Sequence, residues 1–364
     1  MSIPPEPIPQ IAIGLFFIFL AVLILPFRVR KIEENLEPFF LLMGILSVTI
    51  SGLWSFELIK EALTAPVSIG RLPIGIFQVV LIAGLVIYRY NEQICKGLVK
   101  IMNRIGIKIF IFVMITVFGL ISSIISVIVT AVILSEIITV IPIDRNEKIK
   151  LTVISCFAVG LGAALTPVGE PLSTIVVSKL KGEPYHADFF FLFNLLAIYI
   201  IPGILALAIL GSRVAKISLH EQVISMPKYT ETLRAVIARA VRVYVFVSAL
   251  VLLGNGFTPL IVWYFTKIPP LVLYWVNMVS AILDNATLAA AEIGPKLSLI
   301  QIKSALLGLL VSGGMLIPGN IPNIVCAGRL KIKSKEWAKI GVPLGLVLMS
   351  AYFIAIVVEM YATL

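Results

Sequence analysis

The stretch Leu161–Thr174, LGAALTPVGEPLST, limits this chain more than any other. It lies inside an otherwise apolar run from Leu151 to Val177, long enough to cross a bilayer. Its centre carries Thr166, Pro167, Gly169, Glu170 and Pro171. A proline lacks a backbone N–H and clashes with a continuing helix. Two prolines four residues apart, with a glycine between them, predict an unwound break inside the membrane. Unwound backbone at that depth survives only where it is buried in protein or lines a polar cavity. An ionisable residue there marks a functional site by default.

The break has a partner. Gly313–Lys331 reads GGMLIPGNIPNIVCAGRLK, with Pro318 and Pro322 again four apart and Gly319 and Asn320 between them. Pro318 follows Pro167 by 151 residues. Matched interruptions in the two halves of a membrane chain are the best sequence pointer to a transporter's binding site. Kinked membrane helices that bind nothing are common, but two matched breaks, one with a carboxylate, favour the functional reading.

Of the 364 residues, 60% are hydrophobic and 13% charged, where soluble domains carry about a quarter. The fold class expected is therefore an all-α polytopic membrane protein. The net charge of +10 is set by basic residues in short loops, and it indicates orientation rather than nucleic-acid binding. Cys95, Cys156 and Cys326 are widely spaced, and His186 and His220 fall in expected loops, so neither a disulfide framework nor a resident metal site is indicated. Residues 1–10 carry no basic n-region, so the first apolar span is expected to be retained.

Apolar runs give about eight transmembrane helices plus two re-entrant hairpins. Ile8–Phe27 and Pro38–Ser55 are the first two spans, followed by a polar connection, 56–71. Residues 1–71 would form an N-terminal scaffold. A first repeat, 72–210, would contain the span Leu72–Tyr88, a hairpin over Ile109–Pro142, the broken span 152–178 and the span Phe189–Leu210. Residues 211–240 form a basic amphipathic connection. The second repeat, 241–364, would hold a span to Trp263, a hairpin over Ile268–Gly294, the broken span 304–328 and the span Ile340–Met360. With this layout 22 Lys and Arg fall on the cytoplasmic side and 7 outside, which together are the 29 of the chain. The first hairpin then enters from the cytoplasm and the second from outside, an inverted repeat. Both termini would lie outside a prokaryotic plasma membrane.

Four carboxylates lie inside apolar segments: Glu136, Glu170, Asp284 and Glu292. Each costs about 2.5–3.5 kcal/mol at a lipid-facing helix centre on insertion scales, so each should face inward. Asp284 and Asn285 mark the second hairpin tip, with Thr287 within one turn; Ser122, Ser123 and Ser126 mark the first. Hairpin tips expose backbone carbonyls, and these with Asn285, Asn320 and Thr166 offer the oxygen ligands a hard cation prefers. Glu170 and Asp284 suit a cation, a proton, or the two in competition, because burial and like charge both favour protonation of a carboxylate. Glu136 and Glu292, nearer the interfaces, are expected to be structural.

SAILDNATLAAA, Ser280–Ala291, resembles the hairpin-tip motif of the ion transporter superfamily, and its aspartate–asparagine pair looks most like the D-type sodium/proton antiporters. LTPVGEP, Leu165–Pro171, is similar to their broken-helix motif, and PGNIPN, Pro318–Asn323, to the second break. The chain is short for that superfamily and suits a small family of archaeal and bacterial cation transporters. The resemblance covers roughly residues 72–360. It implies a homodimer working by an elevator-like motion. One departure is visible: aligned on the second hairpin, the first has Ser126 for Asp284 and Val127 for Asn285, so its ligand set is incomplete.

The expected function is secondary cation transport, most simply Na⁺/H⁺ antiport, without a fixed metal, cofactor, nucleic-acid partner or ATPase subunit. The alternative is sodium-coupled carriage of a small carboxylate or inorganic anion. An enzyme is not expected, since no GxGD-type aspartate pair is present, and no Walker-type loop supplies ATP drive.

Overall fold

In a computed structural model of the chain, residues 6–33, 35–67, 76–125, 127–214, 232–264, 269–283, 285–295 and 297–362 are described. Among them every regular element is helical, and the chain is an all-α, multi-pass membrane protein.

The N-terminal part holds α1 (Pro9–Arg28), α2 (Arg30–Glu33), α3 (Leu36–Ser51) and α4 (Phe56–Thr64). The polar connection expected at 56–71 is thus partly helical, because Ser55 caps it: its Oγ accepts from Leu58 N–H at 3.0 Å. Then come α5 (Ile76–Ile105), α6 (Ile107–Ile125), α7 (Val127–Val140), α8 (Arg145–Ala163), α9 (Pro171–Lys179) and α10 (Phe191–Val214). The span expected to end at Tyr88 continues as helix through the basic segment, with one non-helical residue, Tyr90. Next are α11 (Leu233–Tyr264), α12 (Pro270–Val276), a 3-10 turn (Asn277–Ala281), α13 (Asn285–Glu292), α14 (Leu299–Gly313), α15 (Ile321–Leu330) and α16 (Ser334–Ala362).

Five of these are long and apolar enough to cross a membrane: α1, α6, α10, α11 and α16. Four expected spans are therefore single apolar helices (α1, α10, α11, α16). The others are shorter, amphipathic or interrupted: α3 has 16 residues, and α14, with 15, is only about 22 Å long. α6 departs from the expected re-entrant limb. Its 19 residues carry no break, so it could reach across by itself, whereas the matching limb of the second hairpin is α12 plus the short 3-10 turn.

The core sits on α8 and α14. Every residue from Leu151 to Leu165, and from Ile302 to Leu316, is buried. A helix apolar on all sides must be surrounded, here by protein. The outer helices show the reverse pattern expected beside lipid. On α16, Val347, Ile354 and Val358 are exposed, whereas Met349, Tyr352 and Ile356 face the core.

Packing follows a repeated order. α8 lies against α6 and α10; α14 lies against α12, the 3-10 turn and α16. α5 touches α7, and α11 touches α13. The two units interlock by exchange, with α7 on α15 and α13 on α9. The N-terminal α3 packs along α11, where Gly44 comes up against the Ala249 carbonyl and Gly256 against Ser47. Small residues at such crossings let membrane helices approach closely.

Candidate functional site

The two breaks share a backbone pattern at an offset of 150. Ala164 and Gly314 end their helices at φ −72°, ψ −13° and φ −74°, ψ −18°. Leu165 N–H bonds to Gly162 O at 3.1 Å, and Met315 N–H to Ser312 O at 3.0 Å. Gly169 N–H bonds to Thr166 O at 3.2 Å, and Gly319 N–H to Leu316 O at 3.3 Å. Glu170 (φ −153°, ψ 160°) and Asn320 (φ −153°, ψ 150°) are the N-caps of α9 and α15. The prolines are thus one place out of register: Pro171 begins α9, but Ile321 begins α15 and Pro322 follows it. Either position tolerates proline, because the first helical N–H groups have no partner inside the helix.

Each hairpin tip is bonded to the broken helix of its own repeat. Ser122 Oγ reaches Val159 O at 2.9 Å, and Ser280 Oγ reaches Leu309 O at 3.2 Å, the same contact in each repeat. Thr166 Oγ1 donates to Ser123 O at 2.5 Å and accepts from Val168 N–H at 3.3 Å. Val127 N–H, the first of α7, donates to Gly169 O at 2.8 Å. A Cβ at Gly169 would run into the Ala163 carbonyl, and one at Gly319 into the Gly313 and Ser280 carbonyls. Backbone approaches that close require glycine.

The expected site residues divide accordingly. Thr166, Gly169, Ser122 and Ser123 meet in the first repeat. Gly319 meets Ser280 and Ala281 in the second. Glu170 is 5% exposed at the start of α9, and its side chain does not cap that helix. Pro167 O accepts from Thr174 Oγ1 at 2.5 Å. Asn320 Oδ1 accepts from Ile321 N–H at 2.8 Å, and its Nδ2 lies against Gly160 of α8. Asn323 closes the second break by donating to Gly313 O and Leu316 O, both at 2.8 Å. Pro318 lies in the turn Ile317–Gly319 between α14 and α15. Asn285 is buried at the first position of α13, and its Nδ2 has no hydrogen-bond partner among the described residues. Thr287 is in the first turn of α13. Asp284 and Ser126, like the side chain of Thr287, lie outside what is described.

Four ties leave no direct mark in the sequence pattern. Glu136 on α7 pairs with Arg329 of α15, Oε1 to Nε at 2.6 Å, with the Glu136 side chain buried and that of Arg329 partly so. At the equivalent position of the other exchange, Lys179 of α9 donates to Ile293 O at 3.1 Å, just past α13. Burial holds the Lys179 ammonium below its ordinary pKa, and does the same to Lys148, which donates to Thr139 O at 2.7 Å. Lys303, expected in an outer loop, is buried in α14 and pairs with Glu359, which also accepts from Tyr199 Oη. The 150-residue spacing between Lys179 and Arg329, each ending its half-helix, was the available signal.

Cys156 and Cys326 are free thiols that neighbour each other between α8 and α15. Among the described residues no three His, Cys, Asp or Glu side chains gather as a metal site.

A family match spans residues 12–359, covering both breaks and both hairpins. The chain belongs to the family described as "Protein of unknown function (DUF1646)". No curated protein matches it closely enough to count as a relative. The DUF1646 match begins within α1 and ends within α16, so it takes in the N-terminal helices as well as the repeated units.

Proposed function

We propose that this protein is a secondary active cation transporter, most simply a Na⁺/H⁺ antiporter of the prokaryotic plasma membrane. The observation that carries the reading is Glu170: a buried carboxylate at an unwound helix break, held beside a hairpin tip through Gly169 and Thr166. The N-terminus of α9 favours negative charge there. Interrupted helices supply carbonyl oxygens that can complete a cation's shell. A carboxylate so placed accepts either a metal cation or a proton, and their competition couples the two fluxes. The exchange packing of α7 on α15 and α13 on α9 supports alternating access by movement of the breaks and tips as one body against the remaining helices. Elevator-type motion, an inverted arrangement of the repeats and a homodimer with both termini outside complete the proposal.

A second reading is favoured by one observation. The buried Asn285 Nδ2 is a donor without an acceptor among the described residues, as a site for a small carboxylate or oxyanion would require. Proteoliposomes loaded with a pH-sensitive dye separate the two. Proton flux triggered by Na⁺, Li⁺, K⁺ or a divalent cation supports antiport and identifies the ion. Sodium-driven uptake of a labelled anion without such flux supports the second reading.

A further inference from the structure

The second hairpin contains a carboxylate that the break chemistry does not use. Glu292 ends α13 and is 9% exposed. Its partner is Asn277 in the opposite limb, fully buried, whose Nδ2 donates to Glu292 Oε2 at 3.0 Å and to Ala305 O at 3.3 Å. Both neighbours of that nitrogen are acceptors, which fixes the amide's orientation. Two buried acceptors are then left over: Glu292 Oε1 and Asn277 Oδ1 have no hydrogen-bond partner among the described residues. A buried polar atom without a partner costs about 1–3 kcal/mol, and more if charged.

One proton would satisfy both. A carboxylic acid and a carboxamide side by side form a closed pair: the amide N–H donates to one carboxyl oxygen, and the acid O–H donates to the amide oxygen. The first bond is present. We infer that Glu292 is held as the neutral acid, with Oε1–H donated to Asn277 Oδ1, and that this pair is a proton-carrying site inside the second hairpin, separate from Glu170.

Among the described residues no cationic side chain is bonded to the Glu292 carboxyl. From α9, Lys179 faces this end of α13 and donates to Ile293 O. From α14, Lys303 pairs with Glu359. The charged residues of α11 are the arginines of its first turns, Arg234, Arg239 and Arg242. Glu170, at the start of α9, is of like sign. Release is Glu292–COOH → Glu292–COO⁻ + H⁺, and it requires the hairpin to move so that water or a cation meets the carboxylate. The first repeat has no counterpart: Gly119 stands where Asn277 does. The coupling of this proton to transport rests on the transporter reading; its presence does not.

Infrared spectra of the full chain in lipid nanodiscs test the protonation. Wild-type protein at neutral pH should show the carbonyl stretch of a protonated carboxyl that is lost in Glu292→Gln and kept in Glu170→Gln. The glutamine amide reproduces both bonds of the neutral pair, so Glu292→Gln should melt with wild type, and Asn277→Asp serves as a second variant that should shift the band. In the proteoliposome assay, Glu292→Gln should keep the cation–proton exchange of Glu170 but lose the pH dependence that Glu292 adds, read as a flattened pH profile. Absence of a band sensitive to Glu292→Gln overturns the neutral acid, whatever the flux. A band with an unchanged flux profile in Glu292→Gln overturns the coupling. If wild type moves no cation, the transporter reading fails while the spectrum still decides the proton.

Discussion

Glu170 and Asn320 occupy one position of a shared backbone, each an extended N-cap at φ −153° between a glycine and a proline-bearing helix. Only one of them is charged. The two breaks therefore offer alike carbonyls but unlike side chains, and of the two caps only the first is a carboxyl. Replacing Asn320 with aspartate gives the second break its own carboxylate. Asn320→Asp should still fold, because an aspartate oxygen can accept from Ile321 N–H as asparagine does. Its cation flux should change in pH dependence, measured as initial rate across a pH series in proteoliposomes.

The glycines before these caps are expected to be intolerant. Gly169→Ala and Gly319→Ala each force a methyl group into a backbone carbonyl, and overpacking of this kind costs typically about 1–3 kcal/mol. Gly328→Ala is the control, since nothing lies within 4 Å of a Cβ there. Thermal melting in detergent should show both break variants lowered and the control unchanged.

The pair Glu136–Arg329 joins α7 to α15 across the repeats. Removing Arg329 leaves the buried Glu136 without this partner, and breaking a buried pair costs about 3–5 kcal/mol. Glu136→Gln and Arg329→Gln should each lower the melting temperature strongly. The double variant Glu136→Leu with Arg329→Leu should recover much of the loss, since replacing a buried pair by apolar groups is often near neutral.

The contact of α3 with α11 should behave as a close-packed membrane crossing. Gly256→Leu would drive a side chain into Ser47 and separate the helices. The N-terminal helices should then become sensitive to limited proteolysis, while the interlocked α7–α15 and α13–α9 contacts stay protected.

Much of this arrangement was legible in the sequence because membrane helices announce themselves by length and apolarity. α1, α10, α11 and α16 were readable on that basis, and both breaks were readable from Pro167, Pro171, Pro318 and Pro322. Matching prolines misplaced the register by one residue, because a helix start accepts proline at its first or second position and only the backbone bonds of Gly169 and Gly319 tell which. The continuation of helix through Arg89–Arg104 was missed because its charge resembles a loop. Lys303 and Arg329 were read as loop cations for the same reason: a single charge near the end of an apolar run gives no sign of a distant partner such as Glu359 or Glu136. The bonds from Thr166 to Ser123 and from Val127 to Gly169 were not readable in detail, since backbone acceptors leave no mark on the sequence. Asp284, central to the sequence reading, lies outside the described residues.

In the proposed cycle Glu170 carries a cation and a proton in turn. The most direct measurement is cation-triggered proton flux in proteoliposomes containing wild type, Glu170→Gln or Asp284→Asn, with each protein shown to be folded by its elution in size-exclusion chromatography. Wild type should show flux with at least one alkali cation, and Glu170→Gln should lose it. Undiminished cation-triggered flux in a folded Glu170→Gln protein would contradict the cycle.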